Sequence, residues 1–454
     1  MRRDNVDMLS GSITKGLLAM TLPVMAMNVL ASLFNVVDMT ALKAFGFGQA
    51  VGAVGACGTL ITLCTSLLTG ISVGANVIVA RRIGSGDRER ADRAAMTALL
   101  FSVIGGLVLM AIGLIFAGTF LRMVNCPETL LPKAITYFRL YFLGTPILFL
   151  YSFGSAVLRA TGDTKRPFYF SVANGISKVI LTVFFAGVVG IGVEGVAIAT
   201  IIAQTIACIL CLRRLTRFQN IVKVDFRKPV FDFAELKDTL YVGIPAGVQT
   251  ALYSLANVVI ATAVNGFGEN ATTGISIANQ FDGILYNIIH SPSIAVMPFV
   301  AQNMGAGNLK RVKATILRGT LITVAFGATL GALSAGFSTQ LSSIMSDVPE
   351  VIAYSRQKMI IISSTYFICG INEVLAGVLR GIGKPTIPTI STLIFMCALR
   401  FVWVYAIFPL IPNLTFLYTV WPVGWILCII VHLIAYAITM RKHERKLRAA
   451  SPAQ

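Results

Sequence analysis

Twelve long apolar stretches, joined by short polar connections, constrain this chain more than any other feature. They lie near residues 17–41, 51–79, 94–119, 134–158, 167–189, 193–212, 239–265, 272–301, 315–338, 352–379, 386–409 and 416–439. Each is long enough for a membrane-spanning helix, which needs about 20 apolar residues. Only 12% of the 454 residues are charged, too few for the charged surface that soluble domains of this length require. The sequence predicts an all-α polytopic membrane protein with twelve transmembrane helices.

The basic residues are concentrated in alternate connections. Of 37 Lys and Arg residues, 29 lie in the two terminal segments and in every second connection. The remaining eight are Lys43, Arg122, Lys133, Arg139, Arg356 and Lys358 on the opposite side, with Lys178 and Arg400 inside spans. Cytoplasmic connections carry the excess of Lys and Arg, so both termini are predicted to be cytoplasmic. The formal charge of +18 therefore predicts a multi-pass protein of the cytoplasmic membrane, with the lipid bilayer rather than nucleic acid as its surroundings.

The residues that would indicate an enzyme are missing from the sequence. Most of the eight cysteines fall inside spans, among them the C-x-x-C pair Cys208 and Cys211, and the chain contains no phosphate-binding G-x-x-x-x-G-K-[ST] and no H-E-x-x-H. We therefore predict no catalytic residues, no cofactor and no enzymatic activity. A bound sodium ion near Asp38 or near Glu373 is the metal site that the sequence leaves open.

The chain contains an internal repeat at an offset of 221 or 222 residues. Leu22-Pro23 recurs as Ile244-Pro245, Pro127-Glu128 as Pro349-Glu350, and Val157-Leu158-Arg159 as Val378-Leu379-Arg380. A unit of six spans has been duplicated, and because six is even both copies enter the membrane in the same orientation. This predicts two pseudo-symmetric six-helix bundles as parallel repeats, an N-terminal lobe at 1–222 and a C-terminal lobe at 223–454.

Several motifs resemble the multidrug and toxic compound extrusion (MATE) family, in a bacterial branch. They are the basic segment ending in Gly84-Ser85-Gly86 after the second span, its counterpart VAQNMGAGNLKRVK at 300–313, L-R-x-x-G after the fourth span of each half, and the segments at 372–388, 399–403 and 421–425. The resemblance covers residues 10–440. It implies a transporter that exports organic, often cationic and amphipathic, small molecules by antiport against protons or sodium. It also implies alternating access of two lobes, and we expect a monomer.

Three acidic residues lie well inside apolar spans: Asp38, Asp282 and Glu373. An ionisable residue at mid-membrane costs about 2.5–3.5 kcal/mol by insertion scales, so these side chains must face the bundle interior or a hydrated cavity. Helical spacing puts Asn35 on the face of Asp38 and Asn279 on that of Asp282. Carboxylates lined by amides can exchange a cation for a substrate, which predicts ion coupling at these residues.

The resemblance also implies a cation site in the N-terminal lobe. Asp38, Asn174 and Thr200 match the family's positions, but Lys178 stands where a second aspartate is expected. We predict that the Lys178 ammonium pairs with Asp38 in place of sodium. Protons would then suffice as the driving ion, because a desolvated carboxylate can take up a proton near neutral pH. In the C-terminal lobe Glu373 matches the family's acid only approximately.

Four further positions carry predictions. Pro23 and Pro245 lie inside spans, where proline removes a backbone hydrogen bond and permits bending. Arg400 is expected to form a structural ion pair, or else to contact substrate. His290 is interpreted as a packing residue.

Two other functions remain open at this stage. A lipid-linked oligosaccharide flippase of the same superfamily would need a cluster of cavity cations, for which only Lys178 and Arg400 are apparent. A non-transporting scaffold or receptor would have no need of three buried carboxylates.

Overall fold

The structure is a computed structural model that describes residues 5–46, 48–124, 126–217 and 221–450. Within these ranges the side chains at 35, 36, 38, 39, 41–43, 48–56, 59, 254, 255 and 446–450 lie outside the described part.

Every regular element in the described residues is helical. The first half contains α1 (Ile13–Ala44), α2 (Gly48–Gly84), α3 (Arg88–Met123), α4 (Leu131–Leu143), α5 (Thr145–Ala160), α6 (Lys165–Val183) with a π-helical extension at Phe184–Val189, and α7 (Val193–Leu215). The second half contains α8 (Phe233–Asn265), α9 (Glu269–Gly305), α10 (Leu309–Gly336), α11 (Ser338–Ser343), α12 (Pro349–Ser364), α13 (Tyr366–Gly381), α14 (Thr386–Leu410, alternating α and π turns), α15 (Leu414–Tyr418) and α16 (Val420–Ala450).

The predicted twelve-helix membrane fold is confirmed. Ten helices of the described chain are long and apolar enough to span a membrane, and two bent pairs bring the number up to twelve. The spans expected as single helices at 134–158 and 352–379 are these pairs, α4 with α5 and α12 with α13, bent by 47° and 48°. Gly144 followed by Thr145-Pro146 explains the first break, because proline cannot donate to the preceding turn. At the second, the Thr365 hydroxyl donates to the carbonyls of Ile361 and Ile362.

The duplication is visible in the turns between helices. Left-handed glycines recur at the repeat offset as Gly46 and Gly268, Gly86 and Gly307, and Gly162 and Gly383. Such a conformation favours glycine because a Cβ atom would clash with the backbone. The N-caps of α3 and α10 correspond as well, since Asp87 accepts from the Arg90 amide and Asn308 from the Arg311 amide.

The chain forms two compact units. Unit 1 contains residues up to Asp7 and Leu22–Gly247, and unit 2 contains Met8–Thr21 and the residues from Val248 onward. The first turns of α8 thus belong to unit 1 and those of α1 to unit 2, which differs from a division at 222/223. Helices α1 and α8 run through Pro23 and Pro245 as continuous helices, and each changes unit within two residues of its proline.

Glycines allow α2 and the start of α8 to touch inside unit 1. Gly70 and Gly74 on α2 face Gly243 and Gly247 on α8, so both helices carry the G-x-x-x-G spacing. A Cβ atom on Gly70 would lie 2.1 Å from the Cα atom of Gly247. Any side chain at this crossing would force the two backbones apart.

Charged and polar contacts hold the beginning of each repeat. In unit 1 the buried Glu235 accepts from Arg82 at 3.1 Å and from Arg90 at 2.7 Å. In unit 2 the Arg311 guanidinium donates to the backbone carbonyls of Met8, Ser10 and Gly11. The segment preceding α1 is therefore fixed to the start of α10, as the start of α8 is fixed to α2 and α3.

Candidate functional site

The predicted cation site of the N-terminal lobe is described only in part. The Asn174 amide on α6 donates to the Gln204 side-chain oxygen on α7 at 3.3 Å. The Thr200 hydroxyl donates to the backbone carbonyl of Val196 in its own helix, at 2.8 Å. Lys178 lies on α6 and is partly buried. The side chains of Asn35 and Asp38 lie outside the described residues, so the predicted pairing of Lys178 with Asp38 stays a prediction.

Unit 2 buries more charge than the sequence suggested. Its described residues bury two acidic side chains, Asp282 and Glu373, and three basic ones, Lys358, Arg380 and Arg400. From the sequence Lys358 is counted on the outer side and Arg380 in a cytoplasmic connection; the structure buries both side chains within unit 2, with Lys358 3% exposed. Lys358 lies nine residues after the start of α12, whereas Arg380 lies in the last turn of α13. Unit 2 therefore buries Lys358 and Arg380 in addition to Arg400. This weakens the argument against a flippase, which rested on a small number of buried cations.

Helix α8 presents one neutral polar side chain to each of three buried charges. The Gln249 oxygen accepts from the Arg380 guanidinium at 2.7 Å, and the Gln249 amide donates to the Thr392 hydroxyl at 3.0 Å. One turn later the Tyr253 hydroxyl donates to Glu373 at 3.3 Å. After another turn the Asn257 oxygen accepts from Arg400 at 2.7 Å. These three side chains form the α8 stripe. The stripe is uncharged, and it makes hydrogen bonds to charged side chains on other helices.

Glu373 on α13 is 2% exposed and has two protic neighbours. The Tyr253 hydroxyl contacts one carboxylate oxygen, and the Nε2 atom of His290 lies 3.6 Å from the other. The His290 ring stacks on Tyr286, one turn away on α9, with centroids 5.5 Å apart. The packing role expected for His290 is incomplete, since the imidazole faces a carboxylate and can exchange a proton with it.

Asp282 on α9 forms a buried ion pair with Lys358. The Lys358 ammonium lies 2.8 Å from the carboxylate and also donates to the side-chain oxygen of Asn279. The Tyr366 hydroxyl donates to the backbone carbonyl of Asp282 at 3.1 Å, which ties α13 to the same turn. The predicted pair of Asn279 and Asp282 is thus brought together, around an ammonium that the sequence reasoning missed.

Arg400 on α14 lies over an indole ring. Its guanidinium carbon is 4.9 Å from the centre of the Trp421 ring, and the Lys358 ammonium is 5.9 Å from the same centre. Both distances are in the range of cation–π interactions. The structural ion pair expected for Arg400 is absent from the described residues, because no carboxylate oxygen lies within 4.0 Å of it. Its hydrogen-bond partner is the neutral Asn257.

One signal in the sequence could have located Lys358. Lys358 follows Pro349 at the start of α12 by nine residues, which at about 1.5 Å per residue puts it roughly 13 Å into the span. The sequence places His290 on the α9 stripe with Asp282 and Tyr286 at helical spacing, but it does not indicate a carboxylate partner from another helix. No group of three His, Cys, Asp or Glu side chains in the described part is arranged to hold a metal ion.

A family model decides what kind of protein this is. MatE matches the chain twice, over residues 23–184 and 245–406. The chain belongs to the multidrug and toxic compound extrusion family. The two matches begin 222 residues apart, at the offset of the repeat.

Individual relatives agree with this assignment. The MATE chain is 29% identical, over 84% of each sequence, to the probable multidrug resistance protein YoeA of Bacillus subtilis. It is 27% identical to a protein of Shewanella oneidensis named FAD transporter, over 84% of this chain and 85% of that one. A solved outward-facing MATE multidrug resistance transporter superposes with a TM-score of 0.90 at 20% identity, covering 97% and 99% of the two chains.

The family assignment gives the coarse function. The MATE protein is a multi-pass membrane transporter for the export of small molecules, and its fold is the two-lobed, twelve-helix fold of its structural relatives. The predicted resemblance to this family is therefore confirmed.

Proposed function

We propose that this transporter exports organic compounds in exchange for protons, and that Glu373 carries the exchanged proton. The observation behind this proposal is the position of Glu373 between the Tyr253 hydroxyl and the Nε2 atom of His290. A carboxylate this deeply buried is costly while ionised and unpaired. Gain or loss of a proton at Glu373 therefore changes the free energy of the conformation in which this side chain is buried.

The donor set around Glu373 favours a proton over sodium. Hard cations are held by several oxygen ligands, whereas the two nearest described side chains here are one hydroxyl and one ring nitrogen. A neutral imidazole and a phenol can each donate a hydrogen bond to the carboxylate, and the imidazole can also accept the proton. A sodium site near Glu373 is the less favoured of the two alternatives.

Asp282 is a weaker candidate for the exchanged proton. Its carboxylate is already paired with the Lys358 ammonium at 2.8 Å, and taking up a proton would break that ion pair. We propose that Asp282 holds the Lys358 ammonium in place while Glu373 exchanges the proton.

Proteoliposome transport tests the proposal. Efflux of a fluorescent organic cation would be followed under a pH gradient alone and under a sodium gradient alone. We expect the pH gradient to drive transport, Glu373→Gln to abolish it, and the exposed control Glu128→Gln to leave it intact. Transport that requires sodium and ignores the pH gradient would contradict proton coupling.

Several finer properties are proposed with this function. The substrate is proposed to be an amphipathic organic molecule, with the cationic character that the family resemblance implies. The transporter is proposed to act as a monomer in the plasma membrane, with both termini in the cytoplasm, which the clustering of Lys and Arg supports. Since one relative is named FAD transporter, FAD belongs in the substrate panel.

A further inference from the structure

All three tryptophans of the chain lie at the Arg400 region of unit 2. They are Trp403, Trp421 and Trp425, and each belongs to or packs against one apolar cluster that also contains Tyr366 and Tyr418. Trp421 is only partly buried, whereas Arg400 and Lys358 beside it are 2% and 3% exposed. A cluster of aromatic side chains, of which Trp403 and Trp421 are partly exposed, here adjoins two buried cations.

The charges of this region do not balance. Lys358 is neutralised by Asp282, whereas among the described side chains Arg400 contacts only the neutral oxygen of Asn257 and the face of Trp421. Across the described residues of unit 2, three buried cationic side chains accompany two buried acids. A buried charge is stable when it is paired and hydrogen-bonded, and Arg400 lacks the anionic half of such a pair.

The same region holds hydrogen-bond donors that have no acceptor. Within the described chain, the Nε atom of Arg400, the indole nitrogen of Trp403 and the hydroxyl of Tyr418 are buried without a hydrogen-bond partner. Native proteins rarely leave such groups unsatisfied unless they serve a function. The three groups share one chemical need, an acceptor.

A cationic group is a poor candidate for this position. One face of Trp421 already lies under Arg400 and the Lys358 ammonium is close to the same ring, so a third cation would meet like charge at short range. An anionic group meets a guanidinium that can bind it in a bidentate fashion, next to aromatic rings that can pack against an organic scaffold.

We propose that Arg400, with Trp421 and Tyr418, binds the acidic group of an aromatic or amphipathic organic substrate, as a carboxylate or a phosphate. This extends the proposed function by one element, because it rests on the protein being an exporter and names a chemical feature of the exported molecule. The substrate is then a zwitterion, whose acidic group accompanies the cationic character proposed above.

Binding in detergent tests the site without any ion gradient, so its outcome is separate from that of the transport assay. The probes are 4-nitrobenzoate and 4-nitrobenzylammonium, which share a ring that quenches tryptophan fluorescence and differ in the sign of their charge. Because the chain has no tryptophan elsewhere, quenching reports this region. Inorganic phosphate, added as a competitor, distinguishes a site for phosphate from one that takes carboxylates only.

We expect saturable quenching by 4-nitrobenzoate and none by 4-nitrobenzylammonium. Arg400→Gln, which keeps an amide donor for Asn257, should weaken nitrobenzoate binding by about tenfold or more, the scale of a lost charge-assisted hydrogen bond. The matched control Arg356→Gln removes an exposed cation from α12 and should leave the affinity unchanged. Equal quenching by both probes, no saturable quenching by the anion, or full affinity in a folded Arg400→Gln protein would overturn the proposal.

If Arg400→Gln does not fold, a milder variant tests the same site. Arg400→Lys keeps the charge but loses the planar two-pronged geometry, so it should bind nitrobenzoate several-fold more weakly while still preferring the anion. The charge preference of the wild-type protein needs no variant, and a preference for the ammonium probe would overturn the proposal by itself.

Discussion

The two units share a fold but differ in the chemistry of their polar interiors. In unit 1 the described part of the predicted cation site pairs two neutral amides, Asn174 and Gln204, beside the partly buried Lys178. In unit 2 the described residues include five buried charges, two of which form a direct ion pair. The left-handed glycines and the helix caps are alike in both copies. The two copies of the duplicated unit therefore share the geometry of their turns, whereas their buried charges differ.

The difference separates what the architecture needs from what transport needs. Glycines at the turns and at helix crossings are required by backbone geometry in either copy. Buried charges are not required by a helical bundle, in which apolar residues of similar volume are often equally stable or more so. The unit with the unrequired charges is therefore the better place to look for the ion and the substrate.

The largest expected effect is on the ion pair of unit 2. Lys358→Ala leaves the Asp282 carboxylate buried without its partner, which typically costs about 3–5 kcal/mol. Adding Asp282→Asn should recover most of this loss, because the second change removes the stranded charge. Thermal melting in detergent measures both.

The matched control for this experiment is Arg356→Ala, which removes an exposed cation from the same helix. It should change stability by no more than about 0.5 kcal/mol. If Lys358→Ala melts like Arg356→Ala, the ion pair does not hold unit 2 together and the contrast between the units is weaker than we describe.

A smaller loss is expected where α8 solvates Arg380. Gln249→Leu removes the acceptor of a buried guanidinium and should cost about 2 kcal/mol. Adding Arg380→Met should restore part of it, since two apolar partners leave no group unsatisfied. Gln340→Leu, at an exposed position, serves as control. Equal melting temperatures for Gln249→Leu and Gln340→Leu would contradict a stabilising role of Gln249 at Arg380.

A gain of about 1.4 kcal/mol is expected from making unit 1 more acidic. Lys178→Asp creates the two-carboxylate arrangement that the family resemblance implies, and sodium at ten times its Kd would stabilise the folded state by that amount. Melting in sodium against potassium at fixed ionic strength measures it. Lys165→Asp, an exposed change on the same helix, should show no sodium response. An equal sodium response in both variants would contradict a specific site at position 178.

The smallest effect is expected for the neutral pair of unit 1. Asn174→Ala breaks a partly buried hydrogen bond between neutral groups, which is worth about 1 kcal/mol. A double-mutant cycle with Gln204→Ala isolates the interaction. A coupling as large as that of Lys358 with Asp282 would erase the proposed difference between the two units.

The sequence was sufficient for the fold because the signals of the fold are local. Long apolar runs predict spans, the recurrence of Pro23 as Pro245 predicts the duplication, and the concentration of basic residues predicts topology. The bends at Gly144 and Thr365 were not predicted, although Pro146 next to the first was a visible cue. A helix interrupted for a single residue keeps the hydropathy of a continuous span.

The candidate site was predicted less completely because it depends on contacts between distant helices. The sequence marked Asp282 and Glu373 as buried acids, and both are buried. Their partners Lys358 and His290 come from positions more than seventy residues away, and no periodicity within one helix specifies which side chain faces it from the next. From the sequence Lys358 is counted on the outer side of the membrane, because the charge of this residue is weighed and not its depth in the span.

The glycine crossing of unit 1 also has a genetic consequence. Every single-base change that replaces a glycine codon by another amino acid's codon introduces a larger residue, and at Gly70, Gly74, Gly243 and Gly247 an added Cβ atom would meet backbone atoms within 3 Å. Random mutagenesis of the gene should therefore return loss-of-function alleles at these four codons from changes of the first or second base, whereas third-base changes are silent. Such alleles would cluster far from the charged residues, and they would record the contact between two helices rather than any step of transport.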